Sequence, residues 1–458
     1  MIVFYLRVFV PLDYSARSTY TFGLTPVVLR AFFDRLKIVL NIWQKEKMKK
    51  RLLVFAALIS IIMTASYLSI WAVLASHGIF NPVDFWVYYA EASLIRDGYG
   101  NQLYDIGIQS QYQLQLLGVL LQNGSVLPFV GPPHLAIALL PFAMLSPHWA
   151  FFFWIALQMI LVVLLIILYF AESSEISLPE RIIYLGAFVS FPMLFVTIYK
   201  GQLSLIILFC IFFWIKAIRK GNDQGIAFWL LIGSIRPQLL VVPFLLTILA
   251  RKWKALVYFM AGATLITALC IISLGPECIR DFLLSMLRVD SNIFPTPWPI
   301  FMYNFKGFLS LILGLGALPL IRSLTIAGFL CALISVIFLW RGRVNVDDEK
   351  FDLKMALSVL LGIFFCPYLF GYDTLLLVVV AKLFNDYLMR PVKKNAQWVF
   401  IVIIYLIPLS FLKSGFIVIA GYMIRSPVIL MIIWMLIMIF IIHGCPNTFY
   451  TSRNKKLP

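Results

Sequence analysis

Apolar runs of nearly 20 residues recur from Leu52 to His443. Runs of that length match the hydrocarbon thickness of a bilayer. Inside lipid every backbone polar group must be paired within the protein, which leaves only helices and closed barrels. Barrel strands alternate in polarity, and these runs do not, so the sequence predicts an all-α polytopic membrane protein. With 62% apolar residues, 12% charged residues and a mean hydropathy of +0.96 over 458 residues, a soluble globular fold is excluded. The net charge of +17 would point to nucleic acid in a soluble chain. Here the basic residues fall in short patches between spans, the positive-inside pattern, so no nucleic-acid partner is expected. Most of the six cysteines sit in apolar runs without metal-ligand spacing, and neither a disulfide nor a metal site is expected.

The basic patches orient the chain. Lys45 to Arg51 place the start of a first span, Leu52–Ser76, on the cytoplasmic side. Residues 77–131 then form a long extracytoplasmic loop with a helix starting at Asn81-Pro82 and a surface-lying amphipathic helix over Ile106–Leu121. Pro132–Ser146 is either a short span or a re-entrant piece. Spans follow over Trp149–Phe170, Ile182–Ile198 and Leu203–Ile218, with Gly201-Gln202 in a tight outer turn. Ile226–Ala250 has basic flanks at both ends and Arg236-Pro237 at its centre. Proline disfavours helical geometry in the residue before it, so this run reads as two short helices meeting near the outer side. Ala255–Leu274 crosses outward, Gly275–Phe305 is an outer loop, and Lys306–Leu320 lies near the surface. Ser323–Trp340, Met355–Phe370, Thr374–Tyr387, Val399–Leu412 and Val428–Ile442 complete a bundle of about twelve spans, ending in a cytoplasmic tail, residues 446–458. The transmembrane domain is residues 48–445. For residues 1–47 two readings stand: translation beginning at Met48, or an interfacial arm with Ala31–Trp43 as its helix.

This topology gathers scattered polar residues on the outer side. Asp84 lies just beyond the first span, where a carboxylate can take a proton from a hydroxyl; it would equally suit the first turn of a capped helix. Arg236 stands in the middle of an apolar run, an expensive position that marks a functional or paired group, and its planar fork suits phosphate. Gln202, Lys306 and Lys200 are further candidates for holding phosphate, the lysines being equally suited to anchoring at the interface. Asp373 could orient a sugar hydroxyl or pair with Arg236. His134 could assist proton transfer. Tyr88, Tyr89 and Tyr372, with Trp86, Trp298 and Tyr303, could stack on sugar or isoprenoid, or belong to an interfacial aromatic belt.

Taken in order, these residues resemble a known family. Asp84-Phe85-Trp86-Val87-Tyr88-Tyr89 and Leu103-Tyr104-Asp105 are similar to the opening Asp-Phe-x-x-Tyr-Tyr and Leu-Tyr-Asp of glycosyltransferase family 87, in the GT-C superfamily. Gly131-Pro132-Pro133 stands where the family has Tyr-Pro-Pro. Gly201-Gln202 matches its Gly-Gln turn, and Arg236-Pro237-Gln238 matches its Lys-Pro with the charge kept. Pro367-Tyr368 with Tyr372-Asp373 matches a late motif of one branch. The resemblance spans roughly Leu52 to Ile442. It implies a GT-C-like bundle, a polyprenyl-phosphate sugar donor with mannose as one candidate sugar, inversion at the anomeric carbon without a required metal or cofactor, and Asp84 as base. The acceptor would be a hydroxyl on a glycolipid, glycan or protein. Membrane lipids would surround the enzyme in a cell inner or plasma membrane, its site facing the periplasm or exterior. Two other classes fit the same pattern of spans: a transporter or flippase of lipid-linked glycan, and a surface-polysaccharide polymerase or ligase. A transporter would carry matching broken helices in its two halves, and only Arg236-Pro237 is broken here.

Overall fold

The computed structural model describes residues 46–76, 83–117, 127–172, 178–288, 298–388, 416–419 and 422–443. From residue 50 onward they belong to one unit. The expected helix start at Asn81-Pro82, the span at Val399–Leu412, the tail, and nearly all of residues 1–47 lie outside the described residues.

The chain opens on α1 (Glu46–Ser76), then α2 (Val83–Arg96) and α3 (Ile106–Leu117). Pro132–Ser146 folds as two short pieces, α4 (Pro133–Ala138) and α5 (Leu140–Ala143), neither long enough to cross a bilayer. Long α6 (Pro147–Glu172) follows. The single span expected over Ile182–Ile198 is instead a pair, α7 (Leu178–Val189) and α8 (Pro192–Lys200), bent by 45°. Pro192 causes the bend, because it cannot donate the backbone bond that would continue α7. Next come α9 (Ser204–Lys220), α10 (Asp223–Gly233) and α11 (Pro237–Leu249), the last two separated at Arg236-Pro237 as expected.

Long α12 (Trp253–Leu274) leads to α13 (Glu277–Arg288), a helix inside the stretch read as an outer loop. Its Cys278, Phe282 and Met286 recur at helical spacing and give it one apolar face to bury. The remainder is α14 (Phe305–Leu313), α15 (Leu318–Leu339), α16 (Phe351–Phe365), α17 (Leu377–Leu388), a β1–β2 hairpin (Phe416–Ile419, Tyr422–Arg425) and α18 (Ser426–His443). The hairpin pairs Phe416 with Arg425 and Ile419 with Tyr422. It is a small departure from the all-α expectation. Arg425 ties it to the bundle, donating to the Ile300 carbonyl (2.6 Å) and the Tyr303 hydroxyl (2.9 Å).

Among the described residues, five helices are long and apolar enough to cross a membrane (α1, α6, α12, the α15 region and α18), or six if α7–α8 counts as one span. That is fewer than the expected twelve or so, and the span expected over Val399–Leu412 lies outside these residues. Lipid-facing helices keep large apolar side chains outward, as Ile272 (80% exposed) and Phe338 (76%) show. The equally apolar α9, α16 and α17 are shorter, and most of their apolar side chains are buried against other helices. A second apolar cluster joins α2, α4, α5, the start of α6 and the end of α12.

Candidate active site

The site begins with the two faces of α2. Asp84 and Tyr88, four residues apart, share one face with Val87, and that face lines a cavity of about 1010 Å³ counting its open mouth. The opposite face buries Phe85 and Tyr89 against Phe151 and Trp154, which fixes the rotation of the helix.

The Gly201-Gln202 turn lies against this helix. Gly201 ends α8 in the left-handed conformation (φ 70°). A Cβ on it would stand 2.6 Å from the Phe85 Cβ, so only glycine permits both the turn and the close approach of α2. Trp154 holds the turn by donating to the Gly201 carbonyl at 2.9 Å. Gln202 then faces the cavity, as does Arg236 from the gap between α10 and α11.

Arg236 is the hub. Its Nη1 lies 3.1 Å from both oxygens of Asp373. Its Nη2 donates to Gln202 Oε1 and lies 3.4 Å from the Tyr88 hydroxyl, which itself donates to Gln202 Oε1 at 3.1 Å. The Tyr372 ring stands 5.4 Å from the guanidinium carbon. Asp373 is fully buried and also accepts from Ser204 Oγ (2.7 Å) and the Phe370 N–H (3.3 Å). Burial raises its carboxyl above the ordinary range, against the opposing pull of Arg236, Ser204 and Phe370. The same burial pushes the Tyr88 phenol up to about 12, so it stays a proton donor. Asp84 stands apart from this network. Its Oδ2 lies 3.6 Å from Lys200 Nζ and makes no hydrogen bond.

Asp84, Tyr88, Gln202, Arg236 and Tyr372 thus line one cavity, with Asp373 directly behind Arg236. Other candidates are placed elsewhere. The Tyr89 hydroxyl turns away to donate to the Leu145 carbonyl at 2.7 Å, because it sits on the buried face of α2. His134 Nε2 lies 3.2 Å from Ser234 Oγ at the end of α10, outside the cavity lining, and burial pushes its imidazole below the ordinary range. Lys306 is buried on α14 with Nζ 4.3 Å from the centre of the Tyr368 ring; Tyr368, not Lys306, meets the cavity. Tyr303 stacks under Arg425, and Trp86 packs on Phe85 and Phe151. Sequence reasoning missed Ser204, Phe370, Phe282 and Met286, and it gave Tyr368 no role beyond its late motif. The helical spacing of Phe282 and Met286 was the signal available for those two. Among the described residues no group of three His, Cys, Asp or Glu is placed to hold a metal ion.

Fold and site define a helical membrane protein with a buried carboxylate–guanidinium network and a separate carboxylate sharing its cavity. The chain belongs to glycosyltransferase family 87, whose sequence profile matches residues 129–367, and it is accordingly a membrane glycosyltransferase. The match takes in Gln202 and Arg236; Asp84, Tyr88, Tyr372 and Asp373 join the site through geometry. No curated protein and no solved structure matches the chain.

Proposed function

We propose that this glycosyltransferase moves a sugar from a polyprenyl-phosphate donor to an acceptor hydroxyl on the extracytoplasmic side, with inversion. The observation that carries the reading is that residues from Asp84 to Tyr372, distant in the chain, line one cavity. Asp84 takes the acceptor proton as the hydroxyl oxygen attacks the anomeric carbon. The bond from that carbon to the phosphate oxygen breaks, and its electron pair leaves with the lipid phosphate. The transition state is oxocarbenium-like, as in glycoside hydrolysis. Arg236, with Tyr88 and Gln202 beside it, supplies fixed donors to the charge that develops on the phosphate. Asp373 fixes the guanidinium in place before the donor arrives. Mannose is one candidate sugar, and a cell inner or plasma membrane is the setting, with the site facing the periplasm or exterior.

The test is transfer of radiolabelled sugar from a polyprenyl-phosphate sugar into a product in membranes carrying the chain. Asp84→Asn should slow transfer by about 10²–10⁴-fold while donor binding persists. Undiminished transfer by that variant would remove Asp84 from the mechanism.

A further inference from the structure

Leu103-Tyr104-Asp105, singled out in the sequence, is not used by the chemistry above. It sits at the edge of a second cavity, of about 840 Å³ with its mouth, between the short 3₁₀ turn Gly100–Gln102, α3 and α13. The two cavities share a wall. Pro128, Phe129 and Val130 line both.

This partition has no helix or strand of its own and is held by side chains. Gln113 grips Leu127 at both its N–H (3.1 Å) and its carbonyl (2.7 Å). Gln109 accepts from the Phe129 N–H at 3.1 Å while donating to the Leu103 carbonyl at 2.8 Å. The Tyr104 hydroxyl donates to the Gly131 carbonyl at 2.8 Å. The glutamines are four apart on α3, so one helix face holds the whole segment. The bonds to Leu127, Phe129 and Gly131 stand in for strand partners the segment lacks.

On its far side the partition faces Asn101, Gln102, Asp105, Asp281 and Ser285, with the Tyr104 ring beside them. No Lys, Arg or His is among the described lining residues. Arg280 reaches Asp281 (3.0 Å) from outside the cavity and is itself 67% exposed. Amides and a hydroxyl both donate to and accept from alcohols, carboxylates accept from them, and an aromatic ring offers its face to the C–H side of a sugar. The same set repels an anion, for two carboxylates face it without a lining cation.

We propose that this second cavity, which shares a wall with the one that holds Asp84, is the acceptor subsite and that it takes a neutral, hydroxyl-rich glycoside. The assignment rests on the transferase reading for its role, and on the cavity alone for its ligand class. Asn101 and Gln102 carry the specificity: their side chains make no hydrogen bond among the described residues and are available to a ligand.

The experiment uses the full chain in nanodiscs, with Ser285→Cys as a reporter in a Cys331→Ser background, since Cys331 is the exposed free thiol among the described residues. Maleimide alkylation of the reporter is timed with and without millimolar octyl glucoside, mannoside, galactoside or N-acetylglucosaminide, and separately with phosphatidylglycerol added to the disc. At least one octyl glycoside should slow alkylation about tenfold, and Asn101→Ala with Gln102→Ala should remove the protection, as expected for loss of one or two neutral hydrogen bonds. Absence of protection by every glycoside overturns the proposal whatever transfer is seen. Protection by phosphatidylglycerol alone overturns the neutral class. The transferase reading fails separately, if wild-type membranes move no label from a polyprenyl-phosphate sugar.

Discussion

Arg236 and Asp373 invite replacement singly and together. The pair is withdrawn from solvent, with side-chain exposures of 11% and 0%. Arg236→Met leaves the Asp373 carboxylate buried with only Ser204 and Phe370 as donors; Asp373→Leu leaves the guanidinium with two neutral acceptors, Gln202 and Tyr88. Breaking a buried pair from one side costs about 3–5 kcal/mol. Exchanging both members for apolar residues of similar volume is often near neutral, although here the Ser204 hydroxyl and the Phe370 N–H are stranded, at roughly 1–3 kcal/mol each. Independent effects would sum to about 6–10 kcal/mol, whereas the double variant should lose about 2–6, leaving a coupling of about 4 kcal/mol between the midpoints. Thermal unfolding in micelles, followed by tryptophan fluorescence, reads the stability; transfer from a polyprenyl-phosphate sugar reads the chemistry. The double variant should fold yet transfer at least about 10²-fold more slowly, since removing one fixed donor to a developing oxyanion has that effect. Additive single losses would refute the buried pair. A double variant with wild-type transfer would refute a role for Arg236 in catalysis.

Asp84→Asn should lower the rate of transfer by about 10²–10⁴-fold with donor affinity unchanged, measured by single-turnover assay and donor binding. Gly201→Ala should destabilise the fold by more than the roughly 1–2 kcal/mol of a left-handed alanine, because its methyl would meet the Phe85 Cβ at 2.6 Å; a yield of folded protein equal to wild type would contradict the described turn. Tyr104→Phe should cost about 1 kcal/mol in thermal unfolding through loss of the bond to Gly131. Glu91, fully buried on α2 with neither oxygen hydrogen-bonded, has its carboxyl raised well above 4.5 by burial. The folded state therefore holds a proton that the unfolded state releases, and stability falls as pH rises from 4.5 toward the folded value. Glu91→Gln should flatten that fall, making the variant the more stable form at pH 7 with the gain fading toward pH 4; parallel curves would refute it.

Much of the site could be read from the residues. Pro237 dictates a helix break, and the break exposes Arg236. Gly201 dictates a left-handed turn, and the turn presents Gln202. Asp84 and Tyr88 share a helix face by spacing alone. Spacing also misled, because Tyr89 is adjacent to Tyr88 yet points to the opposite side, and adjacency in a motif says nothing about which face is buried. Lys306 and His134 were chosen as polar residues beside apolar runs, but what decided their place was tertiary: one sits under the Tyr368 ring, the other against Ser234. Which apolar helices meet lipid was not legible for a related reason. Hydropathy reports that α9 or α16 avoids water, and burial inside protein satisfies that as well as lipid does. The partition between the cavities was hidden too, since it is held by Gln109 and Gln113 from another element rather than by any local propensity.

The contact between Gly201 and Phe85 sets how far the opening carboxylate sits from the rest of the machinery. Backbone, not a rotatable side chain, acts as the spacer there, so the separation cannot be tuned by swapping one residue for a slightly larger one. A lineage adapting to a bulkier sugar would have to reshape the opposite wall, around Phe282 and Met286, where methylene-sized steps remain open to selection.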